Sequence, residues 1–235
     1  MNAKGQITDE TYGNEVESKR EYDDNGNLLT IKTGTNGNIQ DLEYIYNTKG
    51  QMYQRIDHRH NSITETFGYD NLDRLTLSVI NGDSVSVIYQ NNPNNGNISS
   101  KSDLGEYTYD TGHPNAVASV NCYDSIQYTL QDVSYTSFNM ADTISQGDST
   151  LLFTYGTDYA RKKTVTTINS NQTTRYYSGA YEKIVNSSGT RQLHYIGAYG
   201  RIVAMYEIKN DTGAMYYVHT DHLGSVNCIT NANDT

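Results

Sequence analysis

The sequence contains no tryptophan, three phenylalanines and two prolines, and hydrophobic residues make up 35% of its 235 residues. A chain so poor in apolar side chains, with a net charge of −10, has a composition typical of disordered proteins. However, it contains 22 tyrosines, and disordered segments are poor in aromatic residues. Tyrosine combines a large apolar ring with a hydroxyl that can stay in water. We therefore expect a folded chain whose sheets are wetted on one side, without a deep dry core.

Basic clusters, long apolar runs and closely spaced cysteines are also missing. The run at residues 161–163 is the only short basic stretch in an acidic chain, which argues against a nucleic-acid partner. No apolar stretch reaches the length of a membrane span, and the residues after Met1 do not resemble a signal peptide. Cys122 and Cys228 lie far apart, without metal or redox spacing, which predicts two free thiols.

A seven-residue pattern recurs in the first part of the chain. Its copies begin with Tyr22, Tyr46 and Tyr69, so the spacings are 24 and 23 residues. A fixed period of this size indicates a repeat architecture. The Asp or Asn after each tyrosine can bond backbone N–H groups further on, and a Gly, or Asp73 in the third copy, can adopt a positive φ. Each copy is therefore predicted to be the turn of a β-hairpin.

A fourth, partial copy begins at residue 109. The residues predicted to build the four turns are Tyr22, Asp23, Gly26, Tyr46, Asn47, Gly50, Tyr69, Asp70, Tyr109 and Asp110. Residues 2–7 also match residues 47–52 closely. The chain is therefore expected to open inside a repeat and to be a piece of a longer protein.

The segments between the turns alternate in polarity with a period of two, as β-strands do. Residues 63–69, 75–79 and 202–208 show this alternation, and Asn81-Gly82 is the strongest short hairpin signal. No window shows an apolar stripe of helical period. A lone hairpin is marginal in water, so the hairpins must stack side by side. The predicted fold is all-β, with stacked antiparallel β-hairpins in a continuous curved or spiral sheet.

Two parts of this sheet differ in regularity. Residues 1–110 carry the regular hairpins, and residues 111–235 carry divergent repeats. Pro114 interrupts the pattern between them, and proline is unfavourable inside a central strand. Residues 111–127 are therefore interpreted as a connection within one continuous sheet.

The tyrosine–aspartate turns at 22–28, 46–52 and 69–75 resemble the YD repeats of RHS-repeat proteins. Residues 177–182 and, more specifically, 216–226 resemble the start of the RHS-associated core. The residues that carry this core motif are Tyr217, His219, Asp221, His222 and Gly224. The resemblance covers essentially the whole chain and implies a large β-sheet that spirals into a hollow shell.

The same resemblance implies a function and partners. In polymorphic toxins and insecticidal toxin complexes the family's shell encloses a C-terminal toxin, and in teneurins it belongs to an extracellular adhesion protein. It thus implies a non-catalytic structural fragment of a secreted or cell-surface bacterial protein. The implied partners are the remainder of the parent protein and its toxin cargo. The Asp-Pro self-cleavage motif of bacterial members is not found before Thr235.

Metal binding is an alternative for two histidine-containing stretches. His219, Asp221 and His222 could bind a metal, but in a strand His222 points away from the other two. A hydrogen-bonded turn is therefore the favoured interpretation. His58 and His60 are predicted to share a strand face, without an evident third ligand. No metal site and no cofactor are expected.

Two further functions are weighed against the shell. No Gly-x-Ser-x-Gly motif is present, and the many Asp residues sit in turn positions, so we expect no enzyme activity. Tyrosines beside Asn and Asp also resemble the lining of sugar-binding surfaces. A carbohydrate- or protein-binding adhesion module therefore stays open, with glycans or a surface receptor as its ligand.

Overall fold

The computed structural model describes residues 1–90, 96–109, 111–112, 114–115, 117–123 and 131–233. The regular elements of the described residues are β-strands, apart from one short 3-10 helix at Thr35–Gly37. This confirms the prediction of an all-β chain. Within the described ranges, no helix has the length and apolar character needed to cross a membrane.

The first sheet is an antiparallel meander in which each strand pairs with the next one in the chain. Its strands are β1 (Asp9–Thr11), β2 (Glu17–Tyr22), β3 (Leu28–Thr33), β4 (Gln40–Tyr46), β5 (Met52–Asp57), β6 (Ile63–Tyr69), β7 (Leu75–Ile80), β8 (Asp83–Tyr89), β9 (Ile98–Lys101), β10 (Gly105–Tyr109) and β11 (Val117–Cys122). This neighbour-to-neighbour order follows from short turns, because a hairpin can only join antiparallel strands.

The second sheet has the same meander order. Its strands are β12 (Gln131–Tyr135), β13 (Ala141–Gln146), β14 (Ser149–Tyr155), β15 (Arg161–Ile168), β16 (Asn171–Ser178), β17 (Tyr181–Asn186), β18 (Gly189–Ala198), β19 (Arg201–Lys209), β20 (Thr212–Thr220) and β21 (Val226–Asn231). Residues 202–208, predicted from their alternation, lie within β19.

The described residues also divide into two compact units. The first unit holds Met1–Thr11 and the described residues from 17 to 123. The second unit holds Tyr12–Val16 and the described residues from 131 to 233. The Tyr12–Val16 segment thus packs within the second unit, although it lies between β1 and β2 in the chain.

β11 lies inside the segment 111–127 that the sequence analysis interprets as a connection. It pairs with β10, with Gly105 opposite Cys122 and Tyr109 opposite Val117. The interpretation as a connection is therefore wrong at β11. Pro114 precedes this strand, so it removes no N–H from the ladder. Residues 110, 113, 116 and 124–130 lie outside the described ranges, so the boundary at 110 and 111 and the continuity of a single sheet stay predictions.

The buried interior is small. Ile31 and Tyr44 are almost fully buried, at 1% and 2% exposure, and Leu42 lies with them. The side chains packed against this cluster are Leu28, Tyr46 and Met52. This is little apolar burial for a chain of this length, as the composition predicts.

Polar side chains share the interior of the first sheet. Ser18, Thr33 and Gln40 are fully buried. The Thr33 hydroxyl lies 2.9 Å from the Ser18 hydroxyl and 3.0 Å from Gln40 Oε1. A buried polar group costs free energy unless it is hydrogen-bonded, so this network lets a polar sequence form a stable sheet.

Candidate functional site: the tyrosine–aspartate turns

The turn between β6 and β7 shows what the tyrosine–aspartate pattern does. Asp70 Oδ1 accepts hydrogen bonds from the backbone N–H groups of Leu72, at 2.9 Å, and Arg74, at 3.0 Å. Arg74 Nε also donates to Asp70 Oδ2 at 2.8 Å. Asp73 has a φ of 61° and takes the left-handed position of the turn. The carboxylate thus satisfies N–H groups in the turn that no neighbouring strand reaches.

The turns at 23 and 47 contain the same contact. Asp23 Oδ1 accepts a hydrogen bond from the N–H of Asn27 at 2.7 Å. Asn47 Oδ1 accepts one from the N–H of Gln51 at 3.1 Å. The residues at the left-handed position are Gly26, with φ of 94°, and Gly50, with φ of 79°. One backbone geometry therefore recurs in all three copies.

Hydrogen bonds lower the pKa of the turn carboxylates below the ordinary value of 3.8. For Asp70 the largest cause is the hydrogen bond from the Arg74 side chain, and for Asp23 it is the one from Asn27. Burial raises the pKa of the Tyr69 phenol above 10.0. Both carboxylates are therefore charged at neutral pH, and the Tyr69 phenol is neutral.

Asp70→Asn is expected to flatten the acid dependence of stability. The variant keeps an oxygen for the N–H groups of Leu72 and Arg74 but removes the charge. Because the folded pKa lies below the unfolded one, the charge contributes fully above about pH 4 and is lost as pH falls through the folded pKa. Thermal midpoints measured from pH 7 to pH 2 should thus fall less steeply for Asp70→Asn than for the wild type.

The exposed carboxylate of Asp83 provides the matched control. Asp83→Asn should keep the acid slope of the wild type, because Asp83 begins β8 and is exposed. Identical slopes for wild type and Asp70→Asn would show that the turn carboxylate adds no charge-dependent stability.

Five strand-ending tyrosines donate their hydroxyl to a backbone carbonyl at the start of the preceding strand or just before it. The Tyr69 hydroxyl donates to the carbonyl of Met52 at 2.6 Å, and that of Tyr89 donates to Leu75 at 2.8 Å. The same bond is made by Tyr22 to Ile7 (3.0 Å), Tyr109 to Ile98 (2.8 Å) and Tyr155 to Ala141 (2.7 Å). We call these bonds tyrosine latches. Asp110, the partner of Tyr109 in the predicted turn, lies outside the described residues.

The latches lie where the backbone ladder stops. β5 and β6 pair only as far as Gln54 opposite Thr66, so the carbonyl of Met52 lies beyond the last pair. The register also shifts between Gly68 and Tyr69, as in a β-bulge. The phenol therefore extends the pairing of two strands past the point where their backbones separate.

Tyr69→Phe should lower the free energy of unfolding of its hairpin by about 1 kcal/mol, because it leaves the Met52 carbonyl without the phenol donor. Hydrogen exchange of the amides in β5 and β6 measures this locally. Tyr53→Phe is the control, since Tyr53 is 44% exposed on β5, and its effect should stay within about 0.5 kcal/mol. Equal effects of the two changes would contradict the latch.

Neighbouring turns also contact each other through side chains. Lys49 Nζ and Gln51 Nε2 each lie 3.1 Å from Asp73 Oδ1 in the next turn. In the matching turn at residues 2–6, Gln6 Nε2 donates to the carbonyl of Gly26 at 2.8 Å. Equivalent residues of two copies thus make equivalent contacts, which join the turns in two pairs.

Two turns of the same kind lie in the second unit and were not predicted. At residues 135–140 the Thr136 hydroxyl accepts a hydrogen bond from the N–H of Met140 at 3.1 Å, in place of an Asp carboxylate. At residues 155–160 Gly156 takes the Asp position, and Asp158 accepts from the N–H of Ala160 at 3.1 Å. In both turns a residue with positive φ, Asn139 or Tyr159, lies four positions after the strand-ending tyrosine. Of the two, only the asparagine is a signal in the sequence, because Asn adopts the left-handed region readily.

The stretch 216–226 contains another turn of this kind. Asp221 Oδ1 accepts hydrogen bonds from the N–H groups of Leu223 and Ser225, both at 2.9 Å. Gly224 has a φ of 85° and takes the left-handed position. His222 lies within the turn and is half-buried. Asp221 is thus held as the turn acceptor, as Asp70 is.

His219 is separate from this turn and fully buried, at 0% exposure. Its Nε2 lies 2.9 Å from the Thr230 hydroxyl on β21. The ring of Tyr12 meets the His219 ring edge-on at 4.5 Å and the Tyr217 ring at 6.1 Å. Asn14 Nδ2 donates to the carbonyl of Asn231 at 2.9 Å. Tyr217 and His219 of the core motif, together with Asn231, therefore form the seat of the segment Tyr12–Val16.

The other histidines differ from expectation. His58 and His60 lie in the turn after β5, so the prediction that they share a strand face is wrong. His58 Nε2 is 2.9 Å from Glu43 Oε2, and His60 Nδ1 is 2.8 Å from Asp57 Oδ2. The β5 strand ends before them because this turn holds residues with positive φ. In the part of the chain that the structure describes, no three His, Cys, Asp or Glu side chains are grouped to hold a metal ion.

Comparisons with known proteins rest on structure. No family model matches the sequence, and no curated protein matches it. The whole chain superposes on the crystal structure of TcdB2-TccC3-Cdc42 with a TM-score of 0.72 at 18% identity, and on that of TcdB2-TccC3 without its hypervariable C-terminal region with 0.75 at 17%. For a Photorhabdus luminescens Tc holotoxin pore carrying a TccC3 mutation the values are 0.63 and 17%.

These matches cover 100% of this chain but only 14–15% of the chains it resembles. At this identity the likeness concerns the fold. The strand arrangement described above therefore belongs to a fold that solved toxin-complex chains share over this length. Along its whole length, the chain has the fold of the RHS-repeat shell in these Tc toxin chains.

Proposed function

We propose that this chain is a non-catalytic structural segment of a β-shell that encloses a C-terminal toxin domain within a secreted or cell-surface bacterial RHS-repeat protein. The observation that carries the proposal is the regular recurrence of turn and latch along the sheet. A thin β-shell has no thick hydrophobic core that could hold neighbouring hairpins together. The latches hold them together through hydrogen bonds instead. The likeness in fold to chains of toxin complexes supports the same role.

The chemistry of the repeat residues supports a non-catalytic role. The turn carboxylates are occupied by backbone N–H groups, and the latch hydroxyls by backbone carbonyls. Groups held in this way stabilise the fold. The pKa of Asp23 and of Asp70 is lowered and that of Tyr69 is raised, in each case away from neutral pH, which does not suit acid–base catalysis. The partners in this proposal are the remainder of the parent protein and its toxin cargo.

Limited proteolysis of the full-length protein tests the proposal. If the shell encloses a C-terminal domain, that domain should resist protease in the intact protein and be digested when it is produced alone. Protection should disappear under conditions that melt the sheet. A C-terminal domain that is digested equally fast in both forms would overturn the role in encapsulation.

A carbohydrate- or protein-binding surface is the second candidate function. The latch tyrosines favour it little, because their hydroxyls already contact the backbone. A row of basic residues on the second sheet favours it more.

A further inference from the structure

Four neighbouring strands of the second sheet carry a basic row. Arg175 on β16 lies opposite Ile184 on β17, which lies opposite Arg191 on β18, and Arg191 lies opposite Lys209 on β19. Residues directly opposite each other point to the same face of a sheet. The row therefore places three cations on one face, although the chain carries a net charge of −10.

The carboxylates that partner the two arginines lie beside the row on the same face. Arg175 Nη1 contacts Glu182 Oε1 at 2.6 Å, and Arg191 contacts Glu207. The arginine side chains are 45% and 43% exposed, whereas those of Glu182 and Glu207 are 11% and 13% exposed. Each guanidinium has five N–H groups, so one carboxylate does not exhaust its donors. The three cations and two carboxylates leave one net positive charge, and the cations are the more exposed of these groups.

Lys209 adds a third positive charge to this face, and this charge does not contribute to the pairing of the strands. It is exposed, and in the described part of the chain it forms no ion pair. Like charges directly opposite each other destabilise a sheet, so the pair of Arg191 and Lys209 costs stability. A locally unfavourable arrangement without a structural gain is a mark of a functional site.

Hydroxyl and amide groups surround the basic row. A groove of about 310 Å³ opens at this face, and the polar residues beside the cations are Thr173, Asn186, Ser188 and Asn210. These side chains come from the same strands and from the hairpin ends next to them. Such groups bind the hydroxyls of a sugar, while guanidinium groups bind a carboxylate or sulfate.

We propose that this groove binds an acidic sugar residue, with its carboxylate or sulfate on Arg175, Arg191 and Lys209 and its hydroxyls on the surrounding polar groups. A single charged group suits the site better than a polyanion, because the negative net charge of the chain opposes long polyanions. This site belongs to the second candidate function, a carbohydrate-binding surface, and it does not require that the shell encloses a toxin.

Titration by NMR with small glycans tests the site. Saturable shifts of the groove amides are expected with 3′-sialyllactose or with a sulfated lactose, at a Kd of about 1 mM, and the stronger of the two identifies the charged group. Neutral lactose should bind at least ten-fold more weakly. No saturable shift with either acidic sugar would overturn the proposal, and so would a tri-glutamate peptide binding as tightly as the better sugar.

Lys209→Glu separates binding from folding. It should weaken acidic-sugar binding at least ten-fold, yet raise the thermal midpoint by about 1–4 °C, because it places a carboxylate opposite Arg191. Lys183→Glu is the matched control: it makes the same charge change next to Ile184 in the chain and hence on the other face of the sheet. It should leave binding within two-fold of the wild type. Equal loss of binding in both variants, or a lower thermal midpoint for Lys209→Glu, would contradict the assigned site.

Discussion

Replacement of His219 by Ala is expected to lower the free energy of unfolding of the second unit by about 3 kcal/mol. His219 is fully buried, so truncation leaves a cavity beneath the Tyr12 ring. It also removes the ring nitrogen 2.9 Å from the Thr230 hydroxyl, which is itself only 4% exposed. A buried hydroxyl that loses this partner adds a penalty of about 1–3 kcal/mol. Chemical denaturation followed by tyrosine fluorescence measures the loss.

The same change should release the segment Tyr12–Val16. Its anchors include the contact of the Tyr12 ring with His219 and the bond from Asn14 to Asn231. Amide exchange in Tyr12–Val16 should therefore rise together with exchange in β20. His194→Ala is the matched control, because His194 is exposed on β18, and its effect should stay within about 0.5 kcal/mol. A His219 variant as stable as the His194 variant would show that this seat is not important for the fold.

The turns were predictable because their bonds are local in the sequence. Asp70 bonds the N–H groups of residues two and four positions ahead, so residue type and order were sufficient to predict a turn. The turns at 135–140 and 155–160 were missed because Thr136 and Gly156 replace the Asp. The geometry persists at 135–140 because the Thr136 hydroxyl accepts the N–H group that the Asp carboxylate accepts elsewhere. At 155–160 the carboxylate of Asp158, two residues further along the chain, accepts the N–H of Ala160 instead.

The latches could not be predicted from the same pattern. The tyrosine was interpreted as a partly wet aromatic that pairs across strands, but its hydroxyl bonds a carbonyl 17 residues earlier in the case of Tyr69. That carbonyl is identified only once the register of the two strands is known. The seat of Tyr12 depends on contacts between residues that lie much further apart in the sequence. The Tyr12 hydroxyl lies 3.5 Å from the carbonyl of Val218, which is 206 residues away. Periodicity predicts which residues form strands, but not which distant side chain covers them.

Gly105 was also missed, because it is not part of a repeated turn. It begins β10, has a φ of 155°, and is buried between its neighbours. A Cβ at this position would lie 2.1 Å from the carbonyl oxygen of Asn121 and 2.8 Å from the Cα of Cys122. Both atoms belong to the backbone of β11, so no side-chain rotation relieves the overlap.

Gly105→Ala is therefore expected to separate β11 from β10, at a local cost of about 3 kcal/mol or more. Amides of β11 should exchange much faster, while those of β5 and β6 keep their protection, because pairing in a meander extends only to the next strand. Gly82→Ala is the control: Gly82 has a φ of 94°, but nothing lies within 4 Å of a Cβ there, so only the backbone strain of about 1–2 kcal/mol applies. If Gly105→Ala costs no more than Gly82→Ala, the close approach of β11 to Gly105 does not hold this edge of the sheet together.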